Sequence, residues 1–364
     1  MKKILALTLA VLLLAASLAG CAKDGAADPG TSPTDAGANT DTPKLLTIYS
    51  WEGMFPQEVL DDFEAETGVR VNYVSFDTDE TMLTKLEEAG GGDYDLVIAD
   101  DYIIESAIAE GLVQKLDKSK LPSLGNVNPV YQGQFYDPAD EYTVPYGAGV
   151  QTIVYDPSRV SVGITGYADL LDPSLRDSVG IIANYRVING IGLKILGKSY
   201  NTNDLSDIRA AGDTLRDLAP NIRVIKDDSL EQDLLTGEIS AAVMYTSQVT
   251  MAKLENPNLE VVYPSEGIGF GIMAGFIPSN APNADGAHAF LEFILDPARG
   301  AACFEWLGYY STYTASDPLI AEEYREFLTL PAGFASGELI GNISDEANEL
   351  HEQIWTEFKD ATGK

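Results

Sequence analysis

The chain is poor in the residues that most active-site chemistry needs. Its 364 residues include two histidines, His288 and His351, and two cysteines, Cys21 and Cys303. Both histidines fall in expected helices, and with Cys303 they make no metal constellation of the Cys/His type. No D-x-D-x-D-G calcium loop, GxxxxGKS/T phosphate loop or GxSxG nucleophile elbow occurs. GIGFG at 267–271 lacks the full GxGxxG spacing and lies inside an expected strand, so it reads as a packed Gly-rich strand. Positive charge is also scarce, with 23 Lys and Arg against 56 Asp and Glu and a net charge of −33. That balance excludes a nucleic-acid binder driven by phosphate neutralisation and disfavours docking to anionic lipid. It suits the attraction of cationic solutes, and equally an acidic surface kept for solubility.

Long apolar runs are missing too, except at the start. Lys2 and Lys3 precede an almost unbroken apolar stretch over 4–16, the pattern of a secretory signal over residues 1–20. Leu18-Ala19-Gly20-Cys21 resembles a bacterial lipobox, in which cleavage before Cys21 leaves a thiol that carries diacylglycerol. Residues 21–44 then hold the lipidated Cys and a Gly-, Ala-, Pro-, Ser-, Thr- and Asp-rich stretch with no large apolar side chain. Such a segment cannot bury enough surface to offset its ordering entropy and reads as a flexible tether. No other run of about 20 apolar residues exists, so nothing else is expected to span a bilayer. Cys303, in AACFEW, reads as a small buried hydrophobe.

The remaining length exceeds one ordinary core and predicts two lobes. LLTIYSW at 45–51 is an expected buried strand that runs out into a turn carrying Trp51 and Glu52. A helix over 56–67 with Pro at its start and Gly68 after it, a strand over 69–76 and a helix over 80–89 follow. A third strand, YDLVIA, ends at Asp100-Asp101-Tyr102, where Asp101 reads as a helix N-cap. This alternation predicts a parallel sheet with right-handed crossovers, its strand ends converging on one rim. YTVPYGAGV-QTIVY at 142–155 reads as a strand broken at Pro145 and Gly147 where the chain changes sheets. Strands over 178–183, 222–226 and 240–245, with helices over 188–196, 204–218 and 229–236, predict a second α/β lobe. Strands over 259–263 and 268–277 carry the chain back to helices over 285–295 and 297–307. A last helix over about 344–361 packs Leu350, Ile354, Trp355 and Phe358.

The lipobox together with LLTIYSW, FEAETGVRVNY, DETMLTKL, YDLVIADDY, EGLVQKLDKSKLPSLGNVNP, YTVPYGAGV and LGYYS closely resembles the extracytoplasmic spermidine/putrescine-binding proteins of ATP-binding-cassette importers. The resemblance runs from Leu45 to the C-terminus and is strongest before residue 155. It implies an α/β fold of two lobes, a hinge of crossing strands and closure on a polyamine in the cleft. The implied first lobe is 45–147 plus about 277–318, and the second is 148–276 plus about 319–364. The implied role is delivery of the solute to permease subunits, outside the cytoplasmic membrane and anchored through lipid on Cys21, with no cofactor and no enzymatic step. An aromatic box around the methylene chain and carboxylates on the ammonium groups are implied for the site. Matched by position, these are Trp51, Glu52, Asp100, Tyr102, Tyr245 and Tyr309, with Asn184 and Arg186 in the second lobe.

This sequence departs from the family's pattern. Asn184 and Val187 stand where an acid pair is usual, Gly271 and Met273 where an aromatic and an aspartate sit, and Ile340 near a late glutamine. The identified acids, Glu52, Asp100 and Asp101, then all come from the first lobe, and an unpaired buried ammonium costs several kcal/mol. The same reading therefore accommodates another small amine, an organic cation or, through Arg186, a zwitterion. An extracellular hydrolase of carboxylate-only type and a sensor module are the rivals from other classes.

Overall fold

The computed structural model describes residues 44–330 and 337–364. The signal and lipobox expectations, Cys21 included, lie outside the described residues. Among the described residues no helix is long and apolar enough to cross a membrane.

The first lobe opens with β1 (Leu45–Ser50), α1 (Gln57–Thr67), β2 (Arg70–Ser75), α2 (Asp79–Glu88), β3 (Leu96–Asp100) and α3 (Asp101–Ala109). Pro56 stands at the N-cap of α1, and Gly68, in the left-handed region at φ 70°, ends it by donating its N–H to the Glu64 carbonyl. Strands β2, β1 and β3 are parallel neighbours, as their alternation with helices requires. Side chains alternate across the sheet with period two. Leu46, Ile48, Leu96 and Ile98 enter one apolar cluster, and Tyr49, Val97 and Ala99 enter another on the opposite face.

The chain then crosses on β4 (Thr143–Tyr155). It does not break at Pro145 and Gly147. The register shifts there by one residue and the strand continues, because Pro145 has no N–H to place in the ladder. The expected change of sheet is real: β4 pairs with a returning strand over Thr143–Val150 and with a second-lobe strand over Gln151–Tyr155.

The second lobe holds β5 (Val179–Ile181), α4 (Tyr185–Ile195), α5 (Leu205–Leu218), β6 (Ile222–Ile225), α6 (Leu230–Thr236), β7 (Ala241–Tyr245), α7 (Thr246–Glu255) and β8 (Glu260–Val262). The chain returns along β9 (Gly269–Phe276) to α8 (Ala284–Ile294), α9 (Pro297–Leu307), α10 (Glu322–Leu328), β10 (Glu338–Leu339) and α11 (Asp345–Thr362). The strand order is β2-β1-β3-β9-β4-β7-β5-β6, so the antiparallel pair β4 and β9 joins two parallel halves. This is the expected two-lobed α/β fold with crossing hinge strands.

Helix α7 has no counterpart in the sequence reading. Its buried residues are Thr246, Gln248, Val249, Thr250 and Ala252, which show no apolar stripe, and three are β-branched. Packing places it: Thr250 Oγ1 donates to the Thr246 and Gly308 carbonyls, and Gln248 accepts the Tyr245 N–H.

The core follows the crossing. Residues from Ile153 to Leu259 form one cluster, which Leu350, Ile354 and Phe358 of α11 complete. Ile268 to Phe276 pack with the first lobe, as do Ile320 and Leu328. Each fully buried Leu, Ile or Phe contributes roughly 1.5–3 kcal/mol of apolar transfer to these clusters. Cys303 is fully buried in the first-lobe core.

Candidate functional site

Strands β1 and β3 from one half, and β5, β6 and β7 from the other, all end at a single cavity of about 700 Å³. Ligands bind at the carboxyl ends of parallel strands because the chain turns there and leaves polar groups and helix starts facing the gap. Seven of the residues lining this cavity are Asp or Glu, one is Arg and none is Lys.

Trp51 leaves the end of β1 in a turn that Gly53 closes at φ 76°. Its half-buried ring lies 5.0 Å from Phe76, and the Tyr73 hydroxyl donates to its carbonyl. The ring therefore forms cavity wall while its backbone is fixed. Glu52, next in the turn, is exposed and is not part of the wall. The chain rotates at this turn, so adjacent residues do not face the same way.

Asp100 stands at the end of β3 and makes no side-chain bond to α3. Asp101 is not the N-cap that the sequence suggests. Its Oδ2 accepts the Ile272 N–H at 2.9 Å and its Oδ1 the Tyr102 N–H at 2.8 Å, tying α3 to β9. Asp79, in the first turn of α2, is only 5% exposed, and its Oδ1 has no partner. The Tyr102 hydroxyl reaches Asp79 Oδ2 at 3.3 Å and Glu80 Oε1 at 3.1 Å. Burial lifts the carboxyls of both Asp79 and Asp100 above the ordinary range, the Asp100 charge adding to the first and the Glu80 charge to the second. Each carboxyl is thus biased towards its protonated form by burial and by a neighbouring negative charge.

On the hinge, Gln151 is 7% exposed and its Oε1 has no partner, although the residue lines the cavity. Gly149, on the same strand, lets the Tyr309 ring approach: a Cβ there would lie 2.6 Å from that ring. Nothing lies within 4 Å of a Cβ built on Gly271, so the position opposite opens into the cavity.

From the second lobe, Asn184 caps α4 by accepting the Val187 N–H at 3.1 Å, and its Nδ2 donates to the Tyr245 hydroxyl at 3.3 Å. Arg186 Nη2 donates to the Tyr200 carbonyl at 3.2 Å, Asn201 Oδ1 at 3.4 Å and the Gly341 carbonyl at 3.1 Å. Asp227, the second residue after β6, also lines the cavity. Acids are therefore not confined to the first lobe, which corrects the sequence expectation. Of the expected site residues, Trp51, Asp100, Tyr102, Asn184, Arg186, Tyr245 and Tyr309 meet at this cavity.

Residues 58–326 match the bacterial extracellular solute-binding proteins. The chain belongs to that family. It is a transport protein that binds a solute and not an enzyme. The spermidine/putrescine-binding periplasmic protein of Salmonella typhimurium is 32% identical over 322 residues, which cover 86% of this chain and 91% of the relative. The putrescine-binding periplasmic protein PotF of Escherichia coli is 29% identical over 343 residues, 87% of this chain and 91% of that one. Among solved structures, the substrate-binding protein PotD of Streptococcus pneumoniae superimposes with a TM-score of 0.80 at 28% identity, covering 88% of this chain and 99% of that one.

Asp79, Gln151 and Asp227 are among the residues of this solute-binding protein's cavity that escaped sequence reasoning. Asp79 reads as an ordinary acid in the first turn of a helix, and Gln151 as a polar residue in a strand. Asp227 was legible, because the strand-end argument that picked out Trp51 and Asp100 applies equally to β6.

Proposed function

We propose that the protein captures a polyamine, spermidine or putrescine, in the cavity between its lobes and delivers it to the permease of an ATP-binding-cassette importer. One observation carries this reading: a cavity with seven acidic residues and a single arginine, lined as well by Trp51, Tyr102, Tyr245 and Tyr309. Carboxylates give ammonium groups charge-assisted hydrogen bonds, and rings pack on methylenes while attracting the cation through their π faces. The names of the relatives point the same way. In this reading closure is a movement of the two cores about β4 and β9, with the lobe boundaries on those strands; their pairing with each other and with both halves supports it.

The lipobox at Leu18–Cys21 supports a lipid anchor outside the cytoplasmic membrane, with residues 22–44 as tether. Palmitate labelling of the expressed protein, lost in Cys21→Ala, tests that part. Isothermal titration with putrescine and spermidine, then with amino acids and monoamines, tests the ligand. Micromolar or tighter binding of either polyamine supports the reading. Silence with both, and heat with another solute, retires the polyamine and keeps solute capture.

A further inference from the structure

We propose that Asp227 is the second-lobe counter-charge for one ammonium group of a two-ended cationic ligand whose other end rests on Asp79 and Asp100. The assignment rests on the polyamine reading above and specifies how this chain achieves it with Asn184 and Val187 where an acid pair is usual.

Position is the first argument. Asp227 follows β6 and Asp100 ends β3, on opposite lobes, and both line the one cavity. The Tyr245 and Tyr309 rings line the same cavity, and the charges of Asp227 and Asp100 both bear on each of their hydroxyls, whose pKa burial raises first. An acid from each lobe thus shares the cavity with a pair of rings, a set of groups that suits a methylene chain with a cation at either end.

Unmet bonding is the second argument. Asp227 is exposed to the cavity; its carboxyl accepts the Ala183 N–H at 3.1 Å through Oδ1, and no Lys, Arg or His among the described residues pairs with it. The one arginine of the cavity spends Nη2 on three other oxygens. Elsewhere on the cavity wall, and unlike the exposed Asp227, the acceptors Asp79 Oδ1 and Gln151 Oε1 are buried without a donor on residues at least nine-tenths buried. Buried acceptors left in this state are costly, and an ammonium group brings three N–H donors and no acceptor. A ligand with one ammonium end meets the first-lobe group and leaves Asp227 uncompensated. A diamine meets both. Selectivity for the second charge is then a property of Asp227.

The test is titration calorimetry on the wild-type protein and Asp227→Asn with putrescine and 4-aminobutan-1-ol, which replaces one ammonium by a neutral hydroxyl. Asn keeps an oxygen for the Ala183 N–H and removes only the charge. Asp227→Ser serves the same purpose should Asn disturb folding, as judged by thermal melting. Putrescine affinity should fall about 10- to 100-fold, to the level of the aminoalcohol in the wild type, while aminoalcohol affinity changes less than about twofold. Retention of wild-type putrescine affinity by the variant, or an equal loss for both compounds, overturns the assignment and leaves the polyamine reading intact. A wild-type protein silent towards putrescine and spermidine overturns the polyamine reading itself.

Discussion

Polyamine binding should expel a proton. In the empty cleft burial raises both Asp79 and Asp100, and each suffers a neighbouring negative charge, Asp100 for the first and Glu80 for the second. A carboxyl so placed stays protonated into the neutral range. An ammonium group within hydrogen-bonding reach reverses the balance, because an opposite charge lowers a carboxyl pKa by roughly 1–3 units. A group carried from above to below the working pH then loses about 0.5–1 proton for each ligand bound. Affinity should climb with pH, by at most about tenfold per unit, across the window between the two values.

Calorimetry near pH 7 in phosphate and in Tris reads the proton directly, since the two buffers differ in ionisation enthalpy. Asp79→Asn should abolish most of the buffer dependence. The sign for stability follows from the same shift. A carboxyl whose folded-state pKa is raised contributes stability that is complete below the unfolded value and is lost as pH rises through the folded one. The share of stability due to this pair, read as the wild-type melting temperature minus that of Asp79→Asn, should therefore shrink as pH rises from the acid side through neutrality, and a bound polyamine should flatten that decline. Equal heats in both buffers, with an affinity indifferent to pH from about 5.5 to 8, would refute the argument that the pair holds a proton.

Three further outcomes are expected. Trp51→Ala should weaken polyamine binding by roughly 1–3 kcal/mol in a protein that still folds, through lost ring contact; unchanged affinity would assign the ring to packing alone. Gly149→Ala should displace the Tyr309 ring, since the new Cβ meets it at 2.6 Å. A tenfold loss of affinity, about 1.4 kcal/mol, in a protein that still folds is the expected reading by titration. His351 is fully buried, and burial followed by the Arg186 charge holds its imidazole down to about 4 from 6.5. Neutral histidine is thus favoured in the fold, and the stability it contributes is present above the unfolded value and lost as pH falls through the folded one. The loss over that window amounts to at most about 3 kcal/mol, and His351→Gln should show a shallower acid limb in thermal melts.

What the amino-acid sequence determined by itself is the set of features that depend on near neighbours. Alternating apolar residues, Pro56 and Gly68 at the ends of α1, and the glycines and proline of β4 each state a local preference that nothing distant overrides. Trp51, Asp100 and Tyr245 were legible because a strand that runs out places its last residues at a sheet edge whatever the rest of the chain does. The tertiary structure alone decided which of these edges face one another. Asp227 joins Asp100 only because β4 and β9 cross and bring the end of β6 opposite the end of β3. Asp79 joins the cavity wall as a buried acid, and burial has no signature in the acid-rich start of a helix. Asn184 and Asp101 are polar residues whose bonds run to Val187, Tyr245 and Ile272, partners that local sequence does not disclose in full. Helix α7 lacks an apolar stripe, and its position depends on contacts such as that of Thr250 with Gly308, far along the chain. Charge and periodicity are written residue by residue. The distances that turn carboxylates into a binding site are made when two cores fold against a shared pair of strands.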